Sequence, residues 1–169
     1  MFNLDAEKRS FTTIDVAHPL YEKPKVAQGF IRLEVTRGDG APVSIETNWI
    51  SFAMGQTSFA FEAYFGEDTG HLVETVGLMT IIKMAKGSYE IRDPFGNKPW
   101  KVAALFGKGR PDENLQGDNF GQGKFVVSEV LDGPARKYIK GVFEFTFLDR
   151  NKELVRVEAK EFFAESNNG

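Results

Sequence analysis

Apolar residues recur at every second position over much of the chain. Residues 30–37 alternate apolar with polar side chains, a pattern typical of a β-strand with one buried face. Two further runs, 57–65 and 141–149, place phenylalanine at successive alternate positions. Both rows are expected to turn inward together, so they predict strands that line a common apolar interior.

Short segments rich in Gly, Asp and Asn separate the alternating runs. Turns are predicted at 38–40, 132–136 and 150–153, because these residue types tolerate the backbone angles of tight turns. The pattern gives roughly nine to ten strands and little helix, which predicts one all-β domain over 1–169, an antiparallel β-sandwich or barrel. The remaining alternating runs cover 43–54, 100–106, 125–131 and 154–163.

Three segments are less regular. Residues 72–85 fit either a helix or a buried strand over 76–82, and Gly77 in the middle favours the strand. The long polar segment 107–123 predicts a loop that is functional or mobile. Residues 166–169 are expected to form a frayed tail.

Composition narrows the class of protein. The 169 residues include 16 Phe, against 2 Trp and 4 Tyr, so rings without a polar group supply much of the packing. The net charge is −3, from 21 basic and 24 acidic residues, and no basic stripe for nucleic acid is present. The absence of cysteine excludes disulfides, thiolate catalysis and iron–sulfur clusters.

No apolar run approaches the ~20 residues of a transmembrane helix, so no transmembrane segment is predicted. Residues 1–9 lack the pattern of a signal peptide. We therefore expect one of two locations. The protein is cytoplasmic, or it is periplasmic or on the cell surface if an export signal has been removed.

Familiar cofactor and catalytic motifs are missing from the sequence. His18 and His71 each lack a second ligand at metal-binding spacing, and two histidines cannot form a three-histidine zinc site. The glycines of 117–123 precede a predicted strand, whereas a phosphate site of this type needs a helix N-terminus. No cofactor is therefore expected.

Acidic residues offer two kinds of candidate chemistry. Four strand glutamates lie on predicted polar faces, where we expect solvated side chains and no catalytic pair. In the long loop, Asp112, Asn114 and Asp118 resemble the opening of a calcium-binding loop, but its twelfth position is Gly123 where a glutamate would complete the coordination. A mobile polar loop is the preferred interpretation and a calcium site the alternative. The four glutamates are Glu62, Glu129, Glu144 and Glu158.

A barrel interior can also bind a ligand. An eight-stranded barrel is wide enough for one small molecule. In a hollow barrel, Phe59, Phe61, Phe143 and Phe145 would contact a hydrophobic ligand, and Trp100 is a further aromatic candidate. With so many phenylalanines, an interior filled by the rings themselves is the simpler outcome.

The strands at 123–132, 138–149 and 155–162 together resemble the C-terminal hairpin of small β domains in exported lipoproteins of Bacteroidetes-type bacteria. Upstream, the segment Lys-Gly-Ser-Tyr-Glu-Ile at 86–91 is similar to a Gly-Thr-Tyr step of the same families. The resemblance implies an envelope location, although this chain shows neither a signal nor a lipobox. It implies no functional residue, because those domains have no assigned activity.

These observations predict a non-enzymatic binding or structural module that acts through surface loops on a rigid β scaffold. Its partner would be a protein or a small molecule, and self-association through an edge strand stays open. One alternative is a lipocalin-like carrier of a small hydrophobic ligand. The other is a carboxylate-based hydrolase.

Overall fold

The computed structural model describes residues 2–5, 10–13, 26–66, 73–109 and 120–167. Strands β1 and β2 form an antiparallel pair of their own, and ten further strands form one sheet. The strands are β1 Phe2–Asp5, β2 Ser10–Thr13, β3 Val26–Arg37, β4 Val43–Thr47, β5 Ile50–Met54, β6 Phe59–Phe65, β7 Val73–Thr80, β8 Gly87–Ile91, β9 Val102–Gly109, β10 Gln122–Asp132, β11 Arg136–Leu148 and β12 Leu154–Asn167.

The large sheet closes on itself. Its strand order is β12-β11-β10-β8-β9-β7-β6-β5-β3-β4, and β12 pairs in addition with β3. Strand β3 therefore joins the two ends of the sheet, with β12 on one side and both β4 and β5 on the other. Neighbouring strands are antiparallel except for the single parallel pair of Ile91 in β8 with Val102 in β9. The prediction of an all-β sandwich or barrel is confirmed.

Phenylalanine rings from different walls meet inside the ring of strands. Phe61 of β6 and Phe162 of β12 have their centroids 4.4 Å apart, in an edge-on arrangement. Phe125 and Phe143 lie 6.4 and 6.0 Å from the same Phe162 ring. The two predicted phenylalanine rows thus turn inward together, as expected from their alternation. Buried aliphatic residues complete this core, among them Ile31, Leu33, Val35, Val76, Leu78, Val102 and Val157.

Two β-bulges lie side by side in the wall formed by β10, β11 and β12. The register shifts between Val127 and Glu129 in β10, and between Ala159 and Glu161 in β12. Gly141 of β11 lies between them, where a Cβ atom would come within 2.3 Å of the Val126 carbonyl oxygen. Since a bulge bends a strand and increases its twist, this pair curves the wall around the core.

The predicted turns are present. Gly38 begins the first turn with φ of 55°, and the Gly40 N–H donates to the Arg37 carbonyl at 3.0 Å. In the last hairpin, the Asp149 carboxylate accepts from the N–H groups of residues 151 and 153 at 2.8 and 2.9 Å. Lys152 there has φ of 60°, which this capped turn tolerates.

Several predicted boundaries of strands and of the tail were wrong. The run 43–54 is broken after Thr47, whose hydroxyl accepts from the Trp49 N–H at 3.0 Å, because β4 follows β3 while β5 pairs mainly with β6. The segment 72–85 is a strand as preferred, but it ends at Thr80, whose hydroxyl donates to the Ile82 carbonyl at 2.9 Å. Ser166 is not frayed, since it pairs with β11 at the end of β12.

Polar side chains cross both ends of the ring. At one end, Arg37 of β3 is 3.0 Å from the Glu74 carboxylate of β7, and its guanidinium lies 5.8 Å from the centroid of Phe106 in β9. At the other end, the Gln56 amide donates to the Asp132 carboxylate at 3.0 Å. The first contact joins two strands that are not neighbours in the sheet, and the second joins the turn between β5 and β6 to β10, so each connects opposite walls.

Candidate functional site

A second apolar cluster lies on the outer side of the sheet. Along β9 alternate residues serve different clusters: Ala104 belongs to the interior, and Leu105 belongs to the outer cluster. Phe95 and Trp100, from the segment that joins β8 to β9, pack on this outer cluster, and the Phe95 ring is 5.5 Å from the Phe120 ring. The cluster therefore anchors the 92–101 segment, called the β8–β9 loop here, against the outside of the barrel.

Hydrogen bonds fix the shape of the β8–β9 loop. The Asp93 carboxylate accepts from the Phe95 N–H at 2.9 Å, and the Asp93 carbonyl accepts from the Gly96 N–H at 3.1 Å. Across the loop, the Arg92 guanidinium donates to the Pro99 carbonyl at 3.0 Å and pairs with the Glu90 carboxylate. An Asx turn at one end and an arginine clamp between the ends hold the loop in one conformation.

A surface cavity of about 510 Å³ lies between this loop, the end of β8 and the start of β10. Its volume falls within the range of small-molecule sites. Most of the residues that line it have polar or charged side chains. The lining residues are Glu90, Ile91, Arg92, Asp93, Gly96, Asn97, Lys98, Gln122 and Gly123. We call this the loop cavity.

The polar groups of the loop cavity fall into two sets. Arg92, Glu90 and Asp93 are engaged by the contacts that shape the loop. By contrast, the side chains of Asn97, Lys98 and Gln122 make no hydrogen bond or ion pair with any part of the chain that the structure describes. The second set therefore presents two amides and one ammonium group to a ligand.

A smaller groove of about 280 Å³ lies over the two bulges, on the outside of β10, β11 and β12. Val126 and exposed Val142 form part of its floor. Its charged groups are largely paired with one another: Glu158 accepts from Lys160 at 2.7 Å and contacts Arg156 at 2.8 Å. The Lys160 hydrogen bond holds the pKa of Glu158 below its ordinary value. Because these charged groups pair with one another, the groove offers a ligand fewer free polar groups than the loop cavity does.

The strand glutamates do not all have the solvated surroundings that were predicted. Glu129 and Glu144 are exposed, and Glu158 lies on the same outer wall, as expected. Glu62 departs from the prediction because the outer face of β6 is also partly covered, and burial raises the pKa of its carboxyl more than the hydrogen bond from Tyr64 lowers it. The alternating pattern of β6 does not distinguish one buried face from two.

The predicted ligand contacts do not form one site. Phe59, Phe61, Phe143 and Phe145 all lie in the interior, where they pack against other side chains of the core. Trp100 belongs to the outer cluster, on the opposite side of the sheet. Its predicted alternation with 102–106 was wrong, because β9 begins only at residue 102 and Trp100 belongs to the β8–β9 loop.

Other candidate ligands fall on parts of the chain that are not described. Asp112, Asn114 and Asp118, the predicted calcium ligands, lie outside the described residues, and so do His18 and His71. Over the described ranges, no group of three or more His, Cys, Asp or Glu side chains is placed to hold a metal ion.

The loop cavity was not predicted. Residues 93–99 contain two prolines and one glycine, which predict only a turn-rich segment. Their content of Pro, Gly and Asn beside the aromatic Phe95 and Trp100 was the available signal, since a short loop with aromatic anchors can be held rigidly against a sheet. Gln122, which completes the cavity from β10, gives no signal in the sequence.

Comparison of the chain with models of known protein families, with curated protein sequences and with solved structures gave no match. Within the described part of the chain, no helix has the length and apolar character needed to cross a membrane.

Proposed function

We propose that this protein is a non-enzymatic binding module and that the loop cavity is its binding site. The observation that carries the proposal is a cavity of about 510 Å³ whose walls hold three polar side chains without a partner among the described residues. A rigid backbone frame favours binding, because little backbone conformational entropy is lost when a ligand arrives.

The frame itself supports this role. The β8–β9 loop is held by the hydrogen bonds of Asp93 and Arg92 within the loop and by the packing of Phe95 and Trp100 on the outer cluster. The other wall of the cavity, Gln122 and Gly123, belongs to β10, a long strand of the closed sheet. A surface loop on a rigid β scaffold is the usual place for recognition.

A fragment titration followed by amide NMR tests the proposal. The protein is mixed with a library of small neutral, cationic and anionic polar fragments, and chemical shifts are recorded for the whole chain. We expect at least one fragment to perturb the amides of 90–98 and 122–123 in a saturable way, and to be recovered chemically unchanged.

Two variants locate the effect. Gln122→Trp places a large ring in the cavity and is expected to abolish the perturbation, whereas Lys140→Trp adds the same ring at an exposed position on β11, outside the cavity, and is expected to leave it intact. Chemical-shift perturbations that persist in Gln122→Trp, or that appear only outside the cavity, would refute the assigned site. Turnover of a bound fragment would refute the non-enzymatic role.

An envelope location, which the resemblance to exported lipoprotein domains implies, is part of the same proposal. Fractionation of cells that express the native gene tests it separately from binding. Recovery in the cytosolic fraction would refute the location and leave the binding proposal untouched.

A further inference from the structure

We infer that the loop cavity takes a small hydroxylated carboxylate, the chemistry of a sugar acid. This inference rests on the proposed function, since it names the ligand class of the same cavity. Three features of the cavity support it: the lining side chains that have no hydrogen-bond or ion-pair partner among the described residues, the volume of the cavity, and the lack of aromatic side chains in its lining.

Charge selects the anionic group. The Arg92 guanidinium is engaged by Glu90 and by the Pro99 carbonyl, so its charge and its donors serve the loop. Lys98 is the cation of the lining that no described acidic side chain neutralises, while the two acidic side chains of the lining are engaged within the loop, Glu90 by Arg92 and Asp93 by the Phe95 N–H. A carboxylate on the ligand would supply this missing partner through a charge-assisted hydrogen bond.

The two amides select hydroxyl groups. Asn97 and Gln122 each offer an N–H donor pair and a carbonyl acceptor, and they face the cavity from two different walls, the loop and β10. A hydroxyl group donates and accepts at once, so a ligand with several hydroxyls satisfies both amides at the same time. A purely apolar acid would leave them without partners, and unmade hydrogen bonds of this kind oppose binding.

The volume of the loop cavity and its lining residues disfavour larger or aromatic ligands. A cavity of about 510 Å³ that opens to solvent has room for one or two sugar rings. Its lining contains no aromatic side chain, because Phe95 and Trp100 face the outer cluster. Stacking on an aromatic ring is therefore not available in this cavity.

Calorimetric titration of the whole protein with D-glucuronate, D-glucose and acetate tests this inference. We expect saturable binding of glucuronate, with glucose and acetate each weaker by about tenfold or more, since each lacks one of the two kinds of contact. D-Galacturonate and oligogalacturonate serve as a matched pair of further probes, because the oligomer is built from that monomer. Equal or tighter binding of the oligomer per chain end would identify the end of a polysaccharide as the source, and binding of the monomer alone would identify a free sugar acid.

Variants separate the two contacts. Lys98→Gln is expected to weaken glucuronate about tenfold while it leaves glucose unchanged, and Asn97→Ala is expected to weaken both sugars. Lys140→Gln removes another exposed lysine, which lies outside the cavity, and is expected to change the binding of neither sugar. If glucose binds as tightly as glucuronate, or if Lys98→Gln has no effect, the inference is overturned.

The two proposals fail in different ways. Fragments that perturb the loop cavity while glucuronate does not bind would refute the sugar acid and retain the binding site. A chain in which no fragment and no sugar perturbs 90–98 or 122–123 would refute both.

Discussion

Replacement of Phe61 by alanine is the sharpest test of the filled interior. Phe61 is fully buried, and its ring lies 4.4 Å from that of Phe162, on a strand that is not its neighbour. Removal of a buried phenylalanine ring costs about 3–5 kcal/mol when the surrounding core cannot collapse into the space. We expect Phe61→Ala to lower the free energy of unfolding by about 3–5 kcal/mol.

The loss is measured by urea unfolding. For a chain of this length, it corresponds to a fall in melting temperature of about 6–20 °C. The dependence of the unfolding free energy on urea should stay unchanged, because both proteins expose nearly the same surface when they unfold. A double-mutant cycle with Phe162→Ala is expected to give a coupling of about 0.5–1.5 kcal/mol, the value typical of an aromatic pair.

Phe163→Ala is the matched control. Phe163 is the same residue type, next to Phe162 on β12, but it is only half-buried and its ring is 6.4 Å from Tyr138. It should cost clearly less than Phe61→Ala. A loss below about 1 kcal/mol for Phe61→Ala, or no coupling with Phe162, would contradict a packed interior and favour a hollow barrel.

Other residues give predictions of smaller scope. Because the pKa of Glu62 is raised, the wild-type protein should lose stability as the pH rises from below 4.5 through that pKa. Urea midpoints across this range should be less pH-dependent in Glu62→Gln, and parallel curves would contradict the burial. A double-mutant cycle on Arg37 and Glu74 should give a coupling free energy of about 0.2–1 kcal/mol, and a smaller one in 1 M salt. A larger coupling that does not change with salt would show that this pair is not a surface contact. Gly141→Ala, whose Cβ would meet a backbone carbonyl at 2.3 Å, should cost about 1–3 kcal/mol in thermal unfolding. Gly55→Ala, with 3.9 Å to the nearest atom, is its control, and equal melting temperatures would refute the close approach.

Local patterns explain what the sequence predicted well. The inward turn of Phe143 and Phe145 follows from their alternation on one strand, and this depends on no other part of the chain. The turns at Gly38 and Asp149 likewise follow from residues within the turns themselves.

Features that depend on distant partners were not predicted. The break after Thr47 arises because β4 and β5 share one edge of β3, and no residue of 43–54 carries that information alone. The burial of Glu62 has the same origin, since it requires cover on both faces of β6. The loop cavity combines the β8–β9 loop with Gln122, which lies on another strand, so its geometry exists only once the sheet has formed.

The pairing of β3 with β12 has a consequence for the order of folding. Residues 28–37 hydrogen-bond with 155–165, so the seam that completes the circle joins segments separated by most of the chain. Contacts of such high contact order form slowly. During synthesis, the nascent chain would present β3 and β11 as open, aggregation-prone margins until the ribosome has released the last strand, and a chain truncated before residue 154 would keep them open permanently.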